Sequence, residues 1–76
     1  MASTKRNIKL LETFGDRVRS ARNSKGFSQE KLAELADLDR TYISGVERGI
    51  RNISLVNIAS IAKALNAPLA ELMKDL

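Results

Sequence analysis

The segment Gln29–Arg48, with the sequence QEKLAELADLDRTYISGVER, decides the fold of this 76-residue chain. Its first half has apolar residues at helical spacing, which predicts the buried side of a short helix. Those residues are Leu32, Ala33, Leu35 and Ala36. Asp37-Leu38-Asp39 interrupts the pattern, and Asp39 is suited to cap a second helix running from about Arg40 to Arg48. The segment therefore predicts two short helices joined by a tight turn.

Three packing requirements test whether these two helices form a helix-turn-helix. Ala33 is small where the second helix must pass close, and Leu38 supplies an apolar plug for the turn. Ile43 and Val46, three residues apart, can hold the second helix against the core. The outward face is then left to Arg40, Thr41, Ser44, Gly45 and Arg48.

The residue types on that outward face suit a helix that reads bases in a DNA groove. An arginine can donate two hydrogen bonds to O6 and N7 of guanine, and a threonine offers a methyl group to thymine. Gly45 has two interpretations at this point. It either allows close approach to a ligand or relieves packing against a neighbouring residue.

Helical periodicity continues on both sides and predicts an all-α, five-helix domain. Helix 1 carries Leu11, Phe14, Val18 and Ala21 and stops at Lys25-Gly26, while mid-helix Gly15 weakens it. Ser28 caps the first motif helix, and Ser54 caps helix 4. The predicted apolar face of helix 4 is Leu55, Ile58, Ala59, Ala62 and Leu65. Pro68 opens a fifth helix over about 68–75.

Residues 1–7 are expected to be a flexible tail, and 8–76 a single domain with its helix-turn-helix at about 29–48.

Composition excludes several classes of function. The chain has no cysteine and no histidine, so disulfides, thiolate or imidazole zinc sites, thiol nucleophiles and histidine bases are absent. We expect neither an enzyme nor a cofactor or metal site. No apolar run is long enough for a membrane span or a signal peptide, and from the length we expect a single domain. A cytoplasmic, bacterial chain is the expectation.

The net charge of +4 favours a polyanionic partner, but the charge is uneven. Residues 1–25 carry a net +5, residues 26–53 carry −1, and residues 54–76 balance. The N-terminal cations can equally be a solvated tail and helix face. The helix-turn-helix segment must therefore bind DNA, if it does so, through placed residues rather than through bulk charge.

The chain from Phe14 to Leu72 resembles the repressor-type, XRE-like helix-turn-helix family, which includes phage repressors. The blocks GFSQEKLA (residues 26–33) and YISGVERG (residues 42–49) carry the resemblance. Within that family, LDRTYISGVERGIRN (residues 38–52) is most similar to the controller proteins of restriction–modification systems, which are small dimeric regulators. Asp37 departs from the family pattern, because a glycine often stands there, so Asp37 must adopt a left-handed conformation.

The resemblance implies a role for each matching residue. It assigns base reading to Arg40, Thr41 and Ser44. It assigns contacts with the DNA backbone to Gln29, Tyr42, Arg48, Arg51 and Asn52, with a groove edge as the alternative for Arg51. It also implies a structural ion pair between Arg22 and Glu47 that ties helix 1 to the recognition helix.

A single recognition helix reads few base pairs, so we expect a homodimer on a palindromic operator, with the two helices about 34 Å apart. Helix 5 concentrates apolar residues, namely Leu69, Leu72, Met73 and Leu76. We expect some of them to cover helix 4 and the remainder to pair across a two-fold axis. The alternative is that all four close the core.

The sequence thus predicts a sequence-specific, DNA-binding transcriptional regulator that is nucleoid-associated and controlled by its own concentration. The resemblance to controller proteins further implies that one bound dimer assists RNA polymerase and a second dimer blocks it. The alternatives are another short XRE-like repressor and an antitoxin-like protein-binding module that uses helix 5 and the N-terminal tail.

Overall fold

A computed structural model describes residues 4–76, and every regular element within them is an α-helix. The helices are α1 (Thr4–Ser24), α2 (Gln29–Ala36), α3 (Arg40–Glu47), α4 (Leu55–Leu65) and α5 (Leu69–Met73). The predicted all-α, five-helix fold is confirmed. None of these helices is both long enough and apolar enough to span a membrane.

Local hydrogen bonds define the ends of the inner helices as predicted. At the start of α2, the Ser28 hydroxyl accepts a hydrogen bond from the backbone N–H of Lys31. At the start of α3, the Asp39 carboxylate accepts one from the backbone N–H of Thr41. At the start of α4, the Ser54 hydroxyl accepts one from the backbone N–H of Asn57. Asp37 ends α2 in the left-handed region, with φ 56° and ψ 46°. Each of these conformations satisfies backbone groups that a helix end leaves without intrahelical partners.

The predicted tail of residues 1–7 is wrong at its boundary. α1 begins at Thr4, so residues 4–7 form its first turn, and residues 1–3 lie outside the described part of the chain. Once a helix has formed, each further residue adds one hydrogen bond, so a polar stretch can extend it.

All five helices contribute to one hydrophobic core. Its fully buried members include Val18, Leu32, Ile43, Ile61 and Leu65. Three predictions of buried residues are wrong, because Leu35, Leu55 and Ala59 are exposed. α4 instead buries the stripe Ile58, Ile61, Ala62 and Leu65, which leaves Leu55 and Ala59 at its edge.

α1 crosses the C-terminal end of α3 at backbone contact distance. A Cβ atom on Gly15 would lie 2.7 Å from the carbonyl oxygen of Glu47, and one on Gly49 would lie 2.7 Å from the Cα of Glu12. Gly49 also has a φ of 75°, which favours glycine. The glycine that weakens α1 as an isolated helix therefore permits its close packing against α3.

Candidate nucleic-acid interface

The outward face of α3 presents the three residues predicted to read bases. Arg40 and Thr41 are exposed and Ser44 is half-buried, while Ile43 and Val46 on the opposite side are buried in the core. The Asp39 cap defines where α3 starts. The structure thus brings Arg40, Thr41 and Ser44 together on one accessible surface, the α3 face.

The segment after α3 adds two exposed arginines and an asparagine: Arg48, Arg51 and Asn52. The guanidinium carbon of Arg51 lies 5.3 Å from the centre of the Tyr42 ring, within range of a cation–π interaction. A Cβ atom on Gly45 would lie 2.7 Å from Cγ of Arg51. Gly45 therefore relieves packing, and the neighbour that occupies the space is Arg51.

Tyr42 is half-buried, and its hydroxyl oxygen accepts a hydrogen bond from Nδ2 of Asn57 at 3.1 Å. Asn57 was not among the residues predicted from the sequence, because it lies in the first turn of a different helix. No periodicity or spacing in the sequence indicates the pairing. It arises only from the tertiary fold, which brings the first turn of α4 within reach of the Tyr42 hydroxyl.

A buried ion pair supports the α3 face from behind. Nε and Nη2 of Arg22 donate to the two carboxylate oxygens of Glu47 at 2.6 and 3.0 Å. The Glu47 side chain is 1% exposed and that of Arg22 is 12% exposed. The hydrogen bond to Glu47 raises the pKa of Arg22 above its ordinary value; burial opposes this shift, and attraction to the same carboxylate adds to it. The structure thus joins the two residues predicted to pair, and with them α1 and α3.

Gln29 and Arg19 also bind Glu47. Nε2 of Gln29 donates to the Glu47 carboxylate at 3.1 Å, and Nη2 of Arg19 donates to the Glu47 backbone carbonyl at 3.0 Å. The sequence predicted a DNA contact for Gln29 and no role for Arg19. An amide nitrogen carries two hydrogens, so Gln29 retains one donor besides the one directed at Glu47.

The burial of Glu47 changes the electrostatics of the helix-turn-helix segment. Arg22, which lies outside residues 26–53, neutralises the charge of Glu47. The surface of this segment therefore carries no net negative charge. Its exposed cations and exposed acids are equal in number. Three of those cations, Arg40, Arg48 and Arg51, belong to α3 or to the residues directly after it. The positive charge is therefore concentrated near the α3 face.

The structure removes one residue from the predicted dimer surface. Leu72 is only 3% exposed and packs in the core, because α5 must cover α1 and α4 with one of its apolar residues. Leu69, Met73 and Leu76 remain on the surface. Arg17 holds α5 in place by donating to the carbonyl oxygens of Glu71, Leu72 and Lys74. Leu55 and Val56 of α4 are more exposed than any of the three.

Residues 18–72 match the helix-turn-helix family. Control protein C.BamHI of Bacillus amyloliquefaciens is 56% identical over 68 residues, which cover 88% of this chain and 82% of that protein. Control protein C.SmaI of Serratia marcescens is 47% identical over 64 residues, which cover 84% and 76% of the two chains. The crystal structure of the restriction–modification controller protein C.AhdI from Aeromonas hydrophila matches with a TM-score of 0.80 at 56% identity, covering 82% of this chain and 94% of that one.

Proposed function

The chain belongs to the helix-turn-helix family and is most similar within it to restriction–modification controller proteins, and on that premise we propose that it binds a palindromic operator as a homodimer. Its membership of the family shows that it is a DNA-binding transcriptional regulator. One observation carries the proposal: an α3 face formed by the exposed Arg40 and Thr41 and the half-buried Ser44, supported by the buried pair of Arg22 and Glu47.

In this proposal, Arg40, Thr41 and Ser44 read base edges in the major groove. Tyr42, Arg48, Arg51 and Asn52 contact the DNA backbone, and their exposure supports this role for all but the half-buried Tyr42. Gln29 contributes its remaining amide hydrogen and its backbone N–H. That N–H lies in the first turn of α2, where backbone donors have no intrahelical acceptor and attract phosphate.

The homodimer pairs Leu69, Met73 and Leu76 of one protomer with the same residues of its partner. A self-complementary surface of this kind produces two-fold symmetry, which matches a palindromic site. Occupancy then rises steeply with protein concentration, because dimerisation and DNA binding are coupled. The similarity to controller proteins supports a sequence in which a first dimer assists RNA polymerase in the bacterial cytoplasm and a second dimer blocks it.

Selection of binding sites from random duplex DNA tests the proposal. A regulator of this kind enriches one palindrome, and its affinity for that palindrome falls steeply as salt rises, because bound cations are released from phosphates. An adaptor or antitoxin-like module enriches no sequence. An adjacent endonuclease and methyltransferase gene pair would distinguish a controller from another short repressor.

A further inference from the structure

We infer that Asn57 is a positioning residue that makes the Tyr42 hydroxyl a hydrogen-bond donor to DNA. The inference rests on the proposed function. It starts from the 3.1 Å contact between Nδ2 of Asn57 and the hydroxyl oxygen of Tyr42. This contact joins α4 to α3 at Tyr42, the residue that follows Arg40 and Thr41 in the chain.

The chemistry of the two groups sets the direction of the hydroxyl proton. An amide nitrogen only donates, whereas a phenol both donates one hydrogen and accepts. The Tyr42 oxygen therefore accepts from Asn57, and its own hydrogen must point to another acceptor. Phosphate oxygens, guanine O6 and N7, adenine N7 and thymine O4 are the acceptors that a duplex presents to the major groove and along its backbone.

Both partners are held in place by further contacts. The backbone N–H of Asn57 bonds to the Ser54 hydroxyl at 3.1 Å, which anchors the residue in the first turn of α4. The guanidinium of Arg51 covers the Tyr42 ring at 5.3 Å. The hydroxyl is thus oriented before DNA arrives, and less freedom is lost on binding.

The decisive experiment measures the affinity of the Asn57→Asp variant for the duplex that the wild-type protein selects. A carboxylate only accepts, so it turns the Tyr42 proton inward and removes the outward donor. We expect binding about tenfold weaker, the order of one lost hydrogen bond in each of two protomers. Tyr42→Phe should show a similar loss, and adding Asn57→Asp to Tyr42→Phe should weaken binding little further.

Asn57→Asp also adds a negative charge, and Val56→Asp is the matched control. It places the same charge on the neighbouring residue of the same helical turn, where the Val56 side chain is exposed. Any loss from Val56→Asp should persist unchanged in the Tyr42→Phe background. A loss from Asn57→Asp that also persists there reports charge repulsion and overturns the inference.

Folding and salt dependence separate this role from others. An acidic residue in the first turn favours α4, so the thermal midpoint of Asn57→Asp should not fall. Asn57→Leu should weaken binding without changing the slope of log K against log salt. A slope change of about one would mean that Arg51 has moved instead, and would contradict the proposed route through Tyr42.

If the wild-type protein selects no duplex, the proposed function fails as well. If it selects one and Asn57→Asp binds that duplex as tightly as the wild-type protein does, only this inference fails.

Discussion

At the scale of single residues, Arg40 carries the most direct prediction about sequence recognition. Arg40→Ala should weaken binding to the selected operator by about 1–3 kcal/mol and relax discrimination at one base position in each half-site. The reason is that its two guanidinium donors are expected to meet one guanine. Competitive binding to duplexes carrying each substitution measures this.

Lys63→Ala is the matched control for Arg40, because Lys63 is an exposed cation on α4 that lies beside Leu35 and Ala36 of α2. It should leave sequence preference unchanged. If Arg40→Ala weakens binding equally on every duplex, Arg40 contacts phosphate rather than bases.

Glu47 carries the corresponding prediction about stability. Glu47→Ala leaves the guanidinium of Arg22 buried without its carboxylate, and should lower the free energy of unfolding by about 3–5 kcal/mol. Urea denaturation measures the loss. Glu34→Ala removes an exposed partner of Lys31 and should change stability by less than about 0.5 kcal/mol. Equal effects of the two substitutions would show that burial of the pair is energetically unimportant.

The raised pKa of Arg22 fixes the sign of the pH dependence of this pair. Its contribution to stability is complete below the ordinary pKa of an arginine and is lost only as pH rises through the still higher pKa of Arg22 in the folded protein. From the arginine side, the pair is therefore intact throughout the neutral and moderately alkaline range.

At the scale of helices, the crossing of α1 over α3 makes an unusual prediction for Gly15. On an exposed helix, replacing glycine by alanine stabilises by about 1 kcal/mol. Here the new Cβ would meet the backbone carbonyl of Glu47 at 2.7 Å, which cannot rotate away as a side chain can. Gly15→Ala should therefore destabilise the protein by about 1–3 kcal/mol, as overpacking does.

Ser20→Ala, at an exposed position of α1, serves as the comparison for Gly15. It should stabilise slightly or have no effect on the urea midpoint. A gain in stability from Gly15→Ala would mean that α1 and α3 are farther apart than the structure shows.

At the scale of the whole molecule, the homodimer predicts that Met73→Glu is monomeric. Met73 is 39% exposed, so the substitution should leave the protomer folded while placing like charges across the two-fold axis. Dimerisation, measured by sedimentation equilibrium, and operator binding should be lost together. If Leu55→Glu disrupts the dimer and Met73→Glu does not, the interface lies on α4 rather than on α5.

The sequence by itself determined where α2, α3 and α4 begin and which segment forms the helix-turn-helix. Ser28, Asp39 and Ser54 cap helices as predicted, and Asp37 adopts the predicted left-handed turn, because these effects depend on neighbouring backbone groups. The pairing of Arg22 with Glu47 was predictable only through the resemblance, since 25 residues separate them.

Only the tertiary structure decided how each helix is rotated and which distant side chains meet. It exposes Leu55 and buries Leu72, directs the amide of Gln29 to Glu47, and places Asn57 against Tyr42. A short amphipathic helix has more apolar residues than its neighbours can cover, so periodicity alone leaves its rotation uncertain. The packing of the other helices resolves that choice, and with it the partners of Glu47 and Tyr42.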